Sequence, residues 1–194
     1  ALVGELRAGL TLGLTFFFFE EQFSPKRLIS CINKYKIQVL CATPTIFYHI
    51  AVSKDNANQS ESPGCSTLKT CVISGERLTQ HRAAIIQSRM QTADFYHVYG
   101  LTEHSPRASA LMPDEFINKP TSIGLPINGV EFRIVDDELL IKSDSVMLGY
   151  YQNPSLTAEK LKDGWLHTGD RAHTDEDGYY YIDGRKDSMI IRGG

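Results

Sequence analysis

The sequence predicts a mixed α/β fold: a parallel sheet flanked by helices over residues 1–119, then an antiparallel β-subdomain over 120–194. In the first half, strand-like apolar runs alternate with helical patterns about every thirty residues, which is the pattern of βαβ units. From Gly124 onward the runs become short and alternating, with turn residues between them. The 194 residues, 42% apolar and 22% charged, have ordinary globular composition and are enough to bury a core.

Residues 1–19 are apolar and end in Phe16-Phe17-Phe18-Phe19. Glu5 and Arg7 interrupt the run, and the stretch from Ala8 to Phe19 falls short of the roughly 18–20 residues of a membrane span. The expectation is a buried helix running into a core strand. The start in mid-pattern at Ala1 suggests a piece of a longer chain. Ser24-Pro25 reads as an N-cap with proline at the first helical position, and Leu28, Ile29, Ile32 and Tyr35 follow at helical spacing. Residues 37–42 read as a strand closed by Thr43-Pro44, and 45–53 as a second amphipathic stretch. Residues 54–66 are polar with Gly and Pro, a surface loop. Residues 68–73 form the next strand, Thr79 caps a helix over 80–90, and 94–98 form a third strand ending at Tyr99-Gly100. In the second half, 130–135 and 138–142 flank Asp136-Asp137 as a hairpin. Residues 155–163 read as a short helix, and 178–182 and 188–191 as strands.

Lys plus Arg is 20 and Asp plus Glu is 23, a formal charge of −3, so no basic excess points to nucleic acid or an anionic membrane. Cys31, Cys41, Cys65 and Cys71 form no CxxC pair and no zinc-finger spacing. They read as reduced packing residues of a cytoplasmic protein. Asn58-Gln59-Ser60 matches the glycosylation pattern by chance in that setting.

Parallel α/β sheets bind ligands beyond the carboxyl ends of their strands, so the segments after the strands are the candidate sites. Tyr99-Gly100-Leu101-Thr102-Glu103 offers an aromatic ring, a hydroxyl and a carboxylate within a few positions. That set can stack a base, touch a phosphate and hold a hydrated metal ion, or it can be a plain turn with a solvated Glu. Gly164-Trp165-Leu166-His167-Thr168-Gly169-Asp170 presents a carboxylate that can accept two sugar hydroxyls, or it is an Asp-bearing turn. Asp183-Gly184-Arg185-Lys186-Asp187 is a charged knot before residues 188–191, with Arg185 able to reach ribose or phosphate, or it is a charged hairpin turn. Ser74-Gly75-Glu76-Arg77-Leu78-Thr79 is weaker, either a nucleotide-contacting loop or a strand-to-helix connection.

Together the four segments resemble the adenylate-forming superfamily: acyl-CoA synthetases, firefly-type luciferases and the adenylation domains of peptide synthetases. YGLTE resembles its YGxTE motif, GWLHTGD its GW-x-x-TGD motif, and DGRKDSMIIRGG its hinge segment. Residues 123–136 and 138–150 are weaker echoes, the latter similar to GELxIxGxxVxxGY. The resemblance implies an α/β subdomain followed by a distorted β-barrel subdomain. It implies that Tyr99 and Gly100 lie at the adenine, that Thr102 touches the α-phosphate and that Glu103 binds Mg²⁺. It also implies that Asp170 accepts both ribose hydroxyls, that Arg185 contacts ribose and phosphate, and that Asp187 is an interdomain hinge. Gly75, Glu76 and Arg77 fall at the family's adenine-side loop. Thr102, Glu103 and Arg185 are the catalytic candidates.

The implied chemistry is a two-step ligation. A carboxylic acid and ATP give acyl-adenylate and pyrophosphate, and the thiol of coenzyme A then takes the acyl group and releases AMP. The rivals are an adenylation domain or fatty acyl-AMP ligase loading a carrier protein, and a nucleotide-binding module without catalysis. The Gly-rich phosphate loop of the family is missing from 1–98, and its C-terminal lid domain is expected beyond Gly194. Residues 1–194 alone are therefore expected to be inactive. The hairpin at 136–138 is tighter than the family's usual connection. No motif specifies the oligomeric state or the carboxylic acid.

Overall fold

The computed structural model describes residues 2–19, 22–53 and 65–186. The chain divides into two compact units, Ala1–Val98 with Leu111–Thr121 and Tyr99–Ala110 with Ser122–Gly194. The sequence places one change of style near residue 120. The division between Thr121 and Ser122 falls beside it, and the segment Tyr99–Ala110 also goes to the second unit.

The first unit is an α/β layer. Its elements are α1 (Leu2–Thr11), α2 (Pro25–Tyr35), β1 (Val39–Ala42), α3 (Pro44–Val52), β2 (Thr70–Ile73), α4 (Gln80–Arg89), β3 (Asp94–Tyr99, whose last residue passes into the second unit) and α5 (Pro113–Phe116). Strands β1, β2 and β3 are parallel and ordered as in the sequence, with Cys41 opposite Val72 and Val72 opposite Tyr96. The helices between them follow from the predicted spacing. In α2, Leu28 and Ile32 point inward one turn apart, while Tyr35 stays exposed. Phe47 and Ile50 of α3 and Ala83 and Ile86 of α4 complete the core, with Phe95 packed between Phe47 and Phe116.

Thr79 caps α4, its hydroxyl accepting from the Arg82 N–H at 3.4 Å. Ser24 occupies the N-cap position of α2, but its side chain makes no capping bond, and Pro25 alone sets the entry. All four cysteines are thiols rather than disulfides, as the sequence reading required. Burial pushes the Cys71 thiol up to about 12, so it acts as an inert packing group.

The N-terminal expectation is corrected. Residues 2–11 are helical, but 14–19 form no strand. Leu10, Leu12, Phe17 and Phe18 are exposed rather than buried. A phenylalanine run has strand propensity, but a strand needs a partner ladder. Phe16 instead folds back onto Gly9, where a Cβ would overlap its ring, and Phe17 packs on Tyr35. Among the described residues no helix is long and apolar enough to cross a membrane.

The second unit is antiparallel. It contains β4 (Ser109–Leu111, ending in the first unit), β5 (Leu125–Pro126), β6 (Glu131–Val135), β7 (Glu138–Lys142), α6 (Pro154–Lys160), β8 (Leu161–Lys162), β9 (Trp165–Thr174) and β10 (Tyr180–Arg185). The sheet order is β10-β9-β7-β6, with β8 on β9, and β4 pairs separately with β5. The β6–β7 hairpin turns on Asp136 (φ 49°) and Asp137 (φ 64°), the double left-handed conformation of a two-residue I′ turn. Leu139, Ile141, Leu166 and Ala172 form the core with Ala108 and Ile123. Helix α6 stops at Lys160, three residues before its expected end, because Leu161 and Lys162 pair with β9 instead. The ten-residue β9 was not legible as a strand, since Gly169 interrupts its alternation. The predicted strand 188–191, residues 54–64 of the predicted loop 54–66, and the hinge at Asp187 lie outside the described residues.

Candidate functional site

Two irregularities in the β-sheet build the site in the second unit. Along β9, His167 opposes Leu140 and Arg171 opposes Glu138, so Thr168, Gly169 and Asp170 together face Leu139 alone. This is a bulge of two extra residues at the Thr-Gly-Asp segment. Particular hydrogen bonds replace the regular ladder there. The Thr168 hydroxyl donates to Leu139 O at 2.6 Å and accepts from Asp170 N–H at 3.0 Å. The Gly169 N–H donates to Glu138 Oε1 at 2.8 Å, and Gly169 O accepts from Lys186 N–H at 2.8 Å. Gly169 sits at φ +74°, a conformation an L side chain would strain.

The second irregularity is on β10. The register shifts between Ile182 and Gly184, so that Arg185 stands opposite Asp170. Unshifted, Arg185 would face Gly169 and its side chain would leave on the other side of the sheet. The single-residue bulge therefore brings the guanidinium to the carboxylate. Arg185 Nη1 lies 3.5 Å from Asp170 Oδ1, and Nη2 donates to Thr168 O at 3.4 Å. On the other oxygen, the Tyr99 hydroxyl donates to Asp170 Oδ2 at 2.5 Å. Asp170 is 7% exposed, whereas the Arg185 side chain is 61% exposed, so the pair is open on its Arg side. Burial raises the Tyr99 phenol above its ordinary range, and the adjacent Asp170 charge and hydrogen bond add to it. Tyr99 is thus a neutral donor at every physiological pH.

Gly100 leaves Tyr99 with a backbone that folds hard against residues 106–107, and a Cβ there would overlap Pro106 O. The side of Gly100 on which a Cβ would stand is filled by the chain's own carbonyl. Thr102–His104 is a 3₁₀ turn. His104 anchors it from inside, its Nε2 2.8 Å from Ser143 Oγ and its Nδ1 3.2 Å from Ser105 O. Desolvation holds its pKa below the ordinary value. Thr102 is exposed, and Glu103 is half-buried. Tyr150, to which the motifs gave no role, donates its hydroxyl to Glu103 Oε1 at 2.7 Å. That hydrogen bond is the main reason its phenol is pushed up to about 12. Tyr150 is itself fixed by Thr157, whose hydroxyl accepts its N–H at 2.9 Å.

Tyr99, Asp170 and Arg185 therefore form one group, and Glu103 pairs with Tyr150. Gly75, Glu76 and Arg77 belong to the first unit, in the bend between β2 and α4. There Gly75 has φ +86°, and Glu76 accepts from Thr45 Oγ1 at 2.6 Å, with Arg82 Nη1 3.8 Å away. Two residues that sequence reasoning passed over, Glu138 and Tyr150, stand at the ends of the segment 138–150. Their residue types carried a signal, but their partners are 31 and 47 positions away.

Glu138 is 12% exposed and is also met by Lys186 Nζ at 3.2 Å and His167 Nδ1 at 3.5 Å, both at Oε2. Burial alone would raise its pKa, but the Gly169 N–H, Lys186 and His167 hold it below its ordinary 4.5. A carboxylate depressed in the folded state contributes stability that is complete above its unfolded pKa and is lost as pH falls through the folded value. Glu138→Gln is therefore expected to lower the urea midpoint at pH 7, with the gap to the parent closing below about pH 4. A gap that stays constant with pH would remove the charge from this account.

A profile of the family described as AMP-binding enzyme matches residues 1–151. The chain is 32% identical over 210 aligned positions to the acyl-CoA ligase sidI of Aspergillus fumigatus, covering 100% of this chain and 35% of that protein. It is 46% identical over 107 positions to a long-chain-fatty-acid–CoA ligase of Salmonella typhimurium, covering 50% of this chain and 19% of that one. Among solved structures, the amide bond synthetase McbA from Marinactinospora thermotolerans matches with a TM-score of 0.82 at 29% identity, over 95% of this chain and 39% of that one. The anthranilate CoA ligase AuaEII, in complex with anthranoyl-AMP, matches with a TM-score of 0.80 at 26% identity, over 94% and 36%. Even the match to sidI, which takes in the whole of this chain, spans only 35% of the relative.

Proposed function

Because the chain belongs to the AMP-binding enzyme family, we propose that the full-length protein is an AMP-forming acyl-CoA ligase and that residues 99–186 hold the nucleotide. The observation that carries this reading is the buried Asp170 carboxylate, presented on a doubly irregular sheet between Tyr99 and Arg185. A substrate carboxylate oxygen attacks the α-phosphorus of ATP and the bond to pyrophosphate breaks. The sulfur of coenzyme A then attacks the acyl carbonyl, and the bond to AMP breaks. The protein's part is to position the reactants and to stabilise phosphate charge.

In this reading the Asp170 carboxylate accepts both ribose hydroxyls. It has about four lone-pair sites, so the Tyr99 bond survives and Arg185, on its exposed side, turns to ribose and phosphate. The Tyr99 ring and the Gly100 backbone lie at the adenine, and Thr102 donates to the α-phosphate. Asp187 is the hinge. Replacing Asp170 by Ala is expected to weaken ATP binding by about 1–3 kcal/mol, the range for a lost charge-assisted partner. Titration calorimetry on the full-length protein checks it, and an unchanged affinity would remove the ribose role.

Glu103 suits Mg²⁺. Protein sites for this ion commonly supply one or two carboxylates, with substrate phosphates and waters completing the shell. When bound, the ion would neutralise charge on the phosphates. Tyr150 holds one Glu103 oxygen and leaves the carboxylate oriented. Tyr150→Phe is expected to raise the Mg²⁺ concentration needed for half-maximal ATP binding about tenfold. Affinity for AMP in a chelator should stay as it was.

The function is tested by carboxylate-dependent pyrophosphate–ATP exchange on the full-length protein, followed by acceptor trials with coenzyme A, a carrier protein and an amine. Exchange with no thioester would favour a different acceptor, a reading supported by the likeness to an amide bond synthetase.

A further inference from the structure

We propose that Glu138 is a positioning residue for nucleotide selectivity: by gripping the bulge at Gly169 it sets the Asp170 carboxylate to tell ribose from deoxyribose. The inference rests on the ribose reading of Asp170 and extends it to a residue of another strand. A bulge in which three residues face one has lost its regular ladder bonds, so its shape depends on whatever replaces them. At Gly169 both replacements are particular. Its N–H is held by Glu138 Oε1 from β7, and its carbonyl by the N–H of Lys186, the residue after β10. Glu138 Oε2 also meets the Lys186 ammonium, so the carboxylate that holds the Gly169 N–H is tied to the residue whose N–H holds the Gly169 carbonyl. The His167 ring, one residue before the bulge, lies against the same oxygen.

The physical case is one of orientation. Gly169 has no side chain to limit its φ and ψ, and the bulge supplies no ladder to do so. If the N–H were released, the Thr168–Gly169 peptide could turn about the unrestricted φ of Gly169. Asp170, held beyond it through the Lys186 N–H on Gly169 O and the Thr168 hydroxyl on its own N–H, would shift with it relative to the Tyr99 hydroxyl and Arg185. Two ribose hydroxyls are accepted together only when the carboxylate plane is fixed. Base and phosphate contacts are indifferent to that plane. Losing Glu138 should therefore blunt discrimination at the sugar more than overall nucleotide affinity.

The experiment measures the affinity of the full-length protein for ATP and for its 2′-deoxy and 3′-deoxy analogues. The parent is expected to prefer ATP by about tenfold, one charge-assisted hydrogen bond. Glu138→Ala should bring that ratio close to one. Glu138→Gln keeps an acceptor for the Gly169 N–H and should restore most of it. If the alanine variant does not fold, Glu138→Asp serves in its place, since it keeps the charge but falls one methylene short of Gly169. Asp170→Ala is measured alongside. If it leaves the ratio at the parent value, the ribose reading and this inference fall together. If Asp170→Ala abolishes the ratio while Glu138→Ala and Glu138→Asp preserve it, the ribose reading stands and the positioning role is overturned.

Discussion

Residues 1–194 on their own should show no carboxylate-dependent pyrophosphate–ATP exchange, while the full-length protein should show it readily. The chain carries groups for one end of the nucleotide. In the proposed reading Asp170, Tyr99 and Arg185 serve the sugar and the α-phosphate side, and Glu103 serves the metal. It carries no Gly-rich loop with a lysine anywhere in residues 1–98, so nothing there cradles the β- and γ-phosphates with successive N–H groups. Losing a single preorganised donor costs about 10²–10³ in rate, and a whole phosphate cradle costs at least that. Weak binding of AMP is compatible with this outcome, because AMP lacks the phosphates concerned. The comparison is made at equal protein concentration with a panel of carboxylates. Clear exchange by residues 1–194 would show that the essential groups have been misassigned.

The sequence was most readable where the signal is local. The spacing of Leu28 and Ile32, the Thr79 cap and the double-Asp turn at 136–137 each involve neighbours within a turn or a hairpin, and all appear in the structure. The three parallel strands were legible because each is short, apolar and closed by a turn. The apolar segment 1–19 misled for the opposite reason. Hydrophobicity says what a residue tolerates, and only a partner surface decides whether it is buried.

The candidate site was legible as a set of residue types but not as geometry. The Thr-Gly-Asp segment reads equally well as a turn. Its bulge exists only because β7 offers one residue where β9 offers three, a count made between strands some thirty positions apart. The meeting of Arg185 with Asp170 likewise depends on a one-residue slip at Asp183-Gly184. Glu138 looked like an ordinary hairpin residue because its partners Gly169 and Lys186 are distant in sequence. The same limit hid the need for Gly100, which is set by residues 106–107 rather than by its own φ.

That need makes Gly100→Ala the most damaging small substitution in the site. The added Cβ would overlap Pro106 O and stand 2.7 Å from Pro106 C and 3.1 Å from Arg107 Cα, all backbone atoms. A side chain could rotate away, but this backbone is held on its far side. Ala108 N–H donates to Tyr99 O at 2.7 Å, Ile127 N–H donates to Ala108 O at 3.0 Å, and the buried Ser109 hydroxyl donates to Ile123 O at 2.6 Å. Relief therefore breaks hydrogen bonds or displaces Tyr99. The expected cost is about 3 kcal/mol, the upper part of the overpacking range, or a fall in Tm of roughly 6–12 °C for a chain of this size. Gly129→Ala provides the contrast. That position has φ +80° but no atom within 4 Å, so only left-handed backbone strain applies, about 1–2 kcal/mol. Thermal unfolding of the two variants should rank Gly100→Ala well below Gly129→Ala. The first should also lose ATP affinity, because displacing Tyr99 takes its hydroxyl from Asp170. If Gly100→Ala melts with Gly129→Ala and binds ATP as the parent does, residues 106–107 do not press on Gly100.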